Sequence, residues 1–222
     1  MSLELAVSNI FKSYGKEAVL KNCSFSFDKS EMYVLMGHNG SGKSTFLRIC
    51  SLSEGPDKGE VNFYSKGLPV KKDIELKRRI TILLPRIAAF NTTVFKNVAY
   101  GLRIRGLKGE EVEERVVSAL NLVGLLHKKD RRALTLSSGE TQRLGIARAI
   151  VIEPELIFLD EPTASVDQKN TEFIEDILLK MKKNERVIVV TTHDMAQAER
   201  LGGRLLIMQN GKLVEGSYSA FL

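Results

Sequence analysis

The sequence predicts an α/β fold with a mostly parallel sheet, an antiparallel β layer and a helical lobe inserted in the core. Continuous apolar runs at Met32–Met36, Leu156–Leu159 and Val187–Thr192 alternate with helical patterns, as buried parallel strands and their crossover helices do. A glycine-rich loop, Gly37–Ser44, lies between the first of these runs and a helix. From Thr92 to Gly124 the text is helical throughout and interrupts the alternation.

Taken in order, alternating patterns at Leu3 to Phe11 and Asn22 to Asp28, joined by a turn containing Gly15, predict the half-exposed antiparallel layer. Met32–Met36 follows as a core strand, then a helix from about Lys43 to Ser51. A Gly55-Pro56-Asp57-Lys58-Gly59 turn leads to a strand at Glu60 to Tyr64, a short polar helix before Arg79 and an apolar strand at Ile80 to Leu84. In the helical lobe, about 92 to 134, Val112, Val116, Leu120 and Val123 form a stripe behind a glutamate-rich first turn, and Gly124 suits the C-cap. A helix then begins after Ser137, with Leu144, Ile146, Ala147 and Ile150 on its apolar side. Beyond the acidic strand come a helix from about Asp167 to Lys183, the β-branched strand and a short helix to Leu201. The chain closes with a hairpin, Leu205 to Gln209 and Lys212 to Val214, turning at Asn210-Gly211.

With 222 residues, 43% of them apolar, the chain can bury a substantial core, and a single domain over residues 1–222 is expected. No run reaches the roughly 18 to 20 apolar residues that cross a membrane, and no secretory pattern opens the chain, so a cytoplasmic protein is expected. Cys23 and Cys50 lack metal-ligand spacing and read as buried free thiols. The net charge of +6 suits an anionic ligand. The basic clusters Lys77-Arg78-Arg79, Arg103 to Lys108 and Lys128 to Arg132 have no interleaved aromatics on which bases could stack, so no nucleic-acid partner is expected.

Gly37-His38-Asn39-Gly40-Ser41-Gly42-Lys43-Ser44 fits G-x-x-x-x-G-K-[ST] in the strand-to-helix context that pattern requires. Its glycines let backbone amides close on phosphates, Lys43 brings a point charge to the β and γ groups, and Ser44 offers a hydroxyl to Mg²⁺. Asp160, at the tip of an apolar strand, completes the metal's shell. Glu161 beside it is the candidate for orienting the attacking water. His193, at the end of the next apolar strand, reaches the same sheet edge and could hydrogen-bond a γ-phosphate. Leu136-Ser137-Ser138-Gly139-Glu140 precedes a helix whose free amides form a second anion site.

With these pieces in this order, the sequence resembles, over essentially its whole length, the nucleotide-binding subunit of ATP-binding-cassette (ABC) transporters, built on a P-loop NTPase core. Gly37 to Thr45 matches the phosphate loop, Leu136 to Glu140 the family signature, Leu156 to Glu161 the acidic strand, Ser165-Val166-Asp167 the loop after it and His193 the switch histidine. The resemblance implies an ATPase with ATP and Mg²⁺, with Tyr14 stacking on adenine. It further implies a head-to-tail dimer in which Ser137, Gly139 and Glu140 act on the ATP held by the partner's phosphate loop. Thr93 to Leu107 resembles the lobe of importer subunits that docks a membrane-spanning permease, although Val94, Val98 and Leu102 would equally serve a core. The subunit would then sit on the cytoplasmic face of the membrane. The stretch Leu83 to Leu102 is reminiscent of tungstate or molybdate importers, and no regulatory domain is expected after the hairpin.

Two positions depart from the family pattern. Pro85 stands where a glutamine is usual, and proline offers no side-chain donor or acceptor. Ser138 replaces a glycine of the signature. They leave open a second reading, an ATP-closed switch with little turnover. A coiled-coil DNA-handling ATPase is excluded because the stretch between Lys43 and Leu136 cannot hold long heptad arms. A GTPase is excluded because no N-K-x-D motif is present.

Overall fold

The structure, a computed structural model, describes residues 3–28, 30–164, 166–182 and 186–218. In chain order they form β1 (Leu3–Tyr14), β2 (Glu17–Phe27), β3 (Met32–Met36), α1 (Lys43–Cys50), β4 (Lys58–Ser65), β5 (Leu68–Pro69), α2 (Ile74–Arg78) and β6 (Ile80–Leu83). There follow α3 (Val94–Ile104), α4 (Glu110–Leu122), α5 (Ser138–Ile150), β7 (Leu156–Leu159), α6 (Gln168–Lys182), β8 (Val187–Thr192), α7 (Met195–Leu201), β9 (Arg204–Gln209) and β10 (Lys212–Glu215). Two compact units result. The first comprises Met1–Ile82, Glu155–Glu161 and Lys182–Leu222, the second Leu83–Pro154 and Pro162–Met181.

The first unit holds both sheets. A six-stranded sheet has the order β10-β9-β3-β8-β7-β6, with β3 parallel to β8 and β9 and β7 parallel to β8. Every residue of β3, β7 and β8 is buried, which is why these strands are continuous apolar or β-branched runs. The four-stranded sheet, β2-β1-β4-β5, is antiparallel and alternates in burial, as a layer with one solvated face must. Phe25, Phe27 and Tyr33 meet edge-on with centroids 4.9 to 5.8 Å apart, and Phe46 of α1 and Phe63 of β4 complete the same core. Each fully buried aromatic of this kind stabilises by about 1.5–3 kcal/mol.

Where boundaries differ from expectation, backbone pairing extends beyond the hydrophobic pattern. β1 continues past Phe11 to Tyr14, because after a register shift around Asn9 its polar end still pairs with residues 17 to 20 of β2. Asn9 adopts φ 52°, and its N–H donates to Ser24 Oγ at 2.8 Å. β5 and the two 3-10 turns Leu126–Lys128 and Ala133–Thr135 are additions; β5 consists of two exposed residues with no apolar period to announce it. The helix expected over Asp167 to Lys183 runs from Gln168 to Lys182, and Lys183 lies outside the described residues. The terminal hairpin turns at Asn210-Gly211, both at positive φ, as its type requires.

β7 is anchored at its entry by Glu155, whose carboxylate takes a two-pronged contact from Arg79, Nε to Oε1 at 2.6 Å and Nη2 to Oε2 at 2.9 Å. Its backbone N–H also donates to the Arg79 carbonyl. These bonds fix the start of the strand that ends in Asp160 and Glu161.

The second unit is helical. Val94, Val98 and Leu102 of α3, Val112, Val116 and Leu120 of α4, and Leu144, Ile146 and Ala147 of α5 are all buried. Gly124, at φ 65°, closes α4: the Leu125 N–H reaches back to the Leu120 carbonyl and the Gly124 N–H to that of Asn121. Among the described residues no helix is long and apolar enough to cross a membrane. Cys23 and Cys50 are buried free thiols, as expected.

Candidate functional site

The phosphate-binding candidate forms where buried β3 runs into the loop before α1. Gly37 sits so close to the Met208 carbonyl and to Ser41 Oγ that a Cβ there would overlap both. Gly42 caps α1 at φ 107°, a conformation open to glycine, and a Cβ would come within 2.9 Å of Leu20. No side chain caps the helix, and its first internal bond is Phe46 N–H to the Gly42 carbonyl. The amides of Lys43, Ser44 and Thr45 are thus left as donors at the positive end of the helix dipole. Lys43, only 5% exposed, folds back over the loop, donating to the Gly37 carbonyl at 2.7 Å and the His38 carbonyl at 3.2 Å. Ser41 is buried and its Oγ has no hydrogen-bond partner among the described residues, while Ser44 is half-buried.

The second of two adjacent acids meets that lysine. Asp160 is 1% exposed; its Oδ1 accepts from Thr191 Oγ1 at 2.8 Å, and its buried Oδ2 has no hydrogen-bond partner among the described residues. Glu161 follows with φ 45°, in the left-handed region, and its N–H donates to Thr191 Oγ1 at 2.8 Å. Its Oε1 lies 3.4 Å from Lys43 Nζ and 3.7 Å from Nδ1 of the exposed His193. Lys43, Asp160, Glu161 and His193 therefore form one cluster in the first unit. The sequence gives no sign of Thr191, because a threonine in a β-branched strand is ordinary.

Tyr14, at the end of β1, is half-exposed, and its hydroxyl donates to both carboxylate oxygens of Glu54, at 2.7 and 2.8 Å. Burial pushes the Glu54 carboxyl up, but hydrogen bonds from Tyr14 and Lys12 outweigh it and hold Glu54 below the usual carboxylate range. Arg48 joins the group, donating to Glu54 and to Thr45 Oγ1. Glu54 and Arg48 are further residues that the sequence did not single out.

The second anion-receptive helix start lies in the other unit. Ser137 is the N-cap of α5: its Oγ accepts the Glu140 N–H at 3.3 Å, while Glu140 Oε2 accepts the Ser137 N–H at 3.1 Å. Glu140 Oε1 also pairs with Lys128 at 2.5 Å. Gly139 is required by Asn170, whose amide atoms would lie 2.6 Å from a Cβ. Asp167 holds Asn170 in place, accepting its N–H at 2.9 Å and its Nδ2 at 2.8 Å. Asn170 was not expected from the sequence, and Ser165 lies outside the described residues. Pro85 is exposed just after β6 and Ser138 is the exposed first residue of α5.

Carboxylate oxygens and serine hydroxyls are the hard donors a Mg²⁺ ion takes. A buried Asp160 Oδ2 without a partner fits that group, since such an oxygen is costly to leave unsatisfied.

Comparison with known proteins follows the same lines. The family model described as "ABC transporter" matches residues 20–164. The tungstate uptake system ATP-binding protein TupC of Peptoclostridium acidaminophilum is 35% identical over 96% of this chain and 98% of its own. The methionine import ATP-binding protein MetN 4 of Oceanobacillus iheyensis is 36% identical over 97% of this chain and 65% of its own. A dimeric ATP-binding cassette, solved in a post-hydrolysis state bound to ADP and Pi, superimposes with a TM-score of 0.83. It is 28% identical and covers 96% of this chain and 98% of that one.

Proposed function

The chain belongs to the ABC transporter family, as an ATPase subunit of importer type, and from that premise we propose that the Lys43–Glu161 cluster hydrolyses ATP to drive uptake of a small oxyanion. The observation that carries the hydrolytic reading is the contact of Glu161 with Lys43 beside Asp160, one of whose carboxylate oxygens is buried and has no hydrogen-bond partner among the described residues.

In this reading the amides at the start of α1 and Lys43 bind the β and γ phosphates, and Tyr14 stacks on the adenine. Ser44 and Asp160 would hold Mg²⁺. When bound, the ion polarises phosphoryl oxygens and neutralises charge. Glu161 orients the attacking water and takes up its proton at the carboxylate while the water oxygen adds to the γ phosphorus and the bond to the β-bridging oxygen breaks. His193 donates to a γ-phosphate oxygen. Phosphate loop residues His38, Asn39, Gly40 and Ser41 line the nucleotide, and Thr45 lies under it. Ser137 and Gly139 contribute from a second copy in an ATP-closed dimer, and Glu140 serves by shaping the helix start it caps.

The permease is proposed to dock on α3. That helix turns Val94, Val98 and Leu102 inward and leaves Tyr100 and Ile104 51% and 66% exposed, with Phe90 packed on Tyr100 at 4.9 Å. One helix thus serves both the core and an exposed apolar face, and the subunit would sit on the inner side of the membrane as a single domain over 1–222. The oxyanion assignment, tungstate or molybdate, is supported by the end-to-end match to TupC and is tested by titrating these anions into the binding protein that copurifies with the assembled importer.

The hydrolytic reading is tested by measuring phosphate release from the purified protein with and without Mg²⁺. Wild type should turn over only with the metal, and Glu161→Gln should lose about a thousandfold in rate while still binding ATP. A rate indifferent to that substitution would defeat the reading. The low-turnover switch is favoured by Pro85 and Ser138 and predicts negligible release from wild type beside intact ATP-dependent dimerisation.

A further inference from the structure

Thr191 lies wholly buried one residue before the end of β8, and its side chain ties together the two acids that follow β7. The hydroxyl donates to Asp160 Oδ1 at 2.8 Å, and the same oxygen accepts the Glu161 N–H at 2.8 Å. Parallel pairing of the strands, with Leu159 opposite Val190, brings residue 191 level with the turn. That turn holds Glu161 at φ 45°, a backbone region side-chain-bearing residues seldom enter and that persists only where surrounding bonds enforce it.

A valine would serve the strand equally well in shape and β-propensity. It would leave the Glu161 amide without an acceptor and Asp160 Oδ1 without a donor in a buried place, where unmade hydrogen bonds are most costly. The hydroxyl is thus unnecessary for the strand but specific to the acids.

We infer that Thr191 is a positioning residue of the hydrolytic reaction. By engaging Oδ1 it fixes the Asp160 carboxylate and leaves Oδ2 to the cation. By engaging the Glu161 amide it holds the bent backbone that brings the Glu161 carboxylate to Lys43 and His193. This rests on the reading of the cluster as an ATPase site.

The experiment compares Thr191→Val and Thr191→Ser with wild type in ATP kinetics, in calorimetric ATP affinity with and without Mg²⁺, and in thermal unfolding. Thr191→Val should fold, lose about tenfold to a hundredfold in kcat and keep its metal-free ATP affinity within about twofold. The gain in ATP affinity on adding Mg²⁺ should shrink at least about fivefold, and Thr191→Ser should recover most of both losses. Wild-type kcat and Mg²⁺ response in Thr191→Val, or equal losses in the valine and serine variants, would overturn the inference. Should the valine variant fail to fold, Thr191→Ser and Thr191→Ala lose the same methyl group and differ in the hydroxyl. A serine variant well above the alanine variant supports the role, and equal rates overturn it. Wild type that releases no phosphate would instead defeat the ATPase reading, so the two failures are distinguishable.

Discussion

Helix α1 begins at Lys43 with no side chain accepting from its first amides, whereas α5 begins at Ser138 under a complete capping box. Both are helix starts, where the dipole's positive end favours an anion. At α1 the Lys43 ammonium lies over the loop, so donors accumulate and a polyphosphate is an acceptor they match. At α5 the Ser137 hydroxyl and the Glu140 carboxylate consume two amides internally. The first start is arranged to bind on its own. The second is partly self-satisfied, which fits the proposed role of completing a phosphate already held elsewhere.

Substitutions at each start should separate these roles. The largest effect belongs to Lys43→Ala, which removes the ammonium from the loop carbonyls and Glu161. Turnover should drop about a thousandfold and ATP affinity about a hundredfold, read by phosphate release and calorimetry. Gly139→Ala comes next. Its methyl would press on an Asn170 amide that Asp167 holds by two bonds, so the start of α5 must shift. Turnover should fall about tenfold to a hundredfold with ATP affinity of the single subunit unchanged. A parallel loss of affinity would mean the second start binds nucleotide directly, and the contrast would break.

Ser137→Ala should act on stability. Loss of the cap costs about 1 kcal/mol in chemical denaturation and leaves single-subunit ATP affinity intact. The smallest expected effect concerns Glu140. Burial raises its carboxyl, but bonds from Lys128 and the Ser137 amide outweigh this and hold it below the ordinary value of 4.5. A lowered folded-state pKa contributes stability above the unfolded value and loses it as pH falls through the folded one. The stability gap between wild type and Glu140→Gln, under about 1 kcal/mol for a partly exposed pair, should therefore be present at pH 7 and be lost as pH falls below the ordinary carboxylate value and through the lowered folded-state one. A gap that persisted in acid would assign it to packing.

Much of this architecture was legible from period and punctuation. Val187–Thr192 is read to the residue because burial on both faces makes a strand uninterruptedly β-branched, and Asn210-Gly211 announces its own turn. The phosphate loop and the acidic pair were legible because their chemistry demands fixed residue types at fixed spacing. What stayed hidden depends on pairing across the chain. The end of β1 is polar and held by backbone pairing and by side-chain bonds to residues far along the chain, and its alternation is broken at Asn9. Thr191, Asn170 and Glu54 are unremarkable in their own segments and gain meaning only through Asp160, Gly139 and Tyr14, which lie far away in sequence.

The account stands on Asp160 as the carboxylate that, with Ser44, holds the metal accompanying ATP at the first helix start. Calorimetric titration of Asp160→Asn with ATP, with and without Mg²⁺, tests this most directly. Affinity without the metal should match wild type, and the increase that Mg²⁺ produces in wild type should disappear. A variant that keeps the full Mg²⁺-dependent increase would contradict the account.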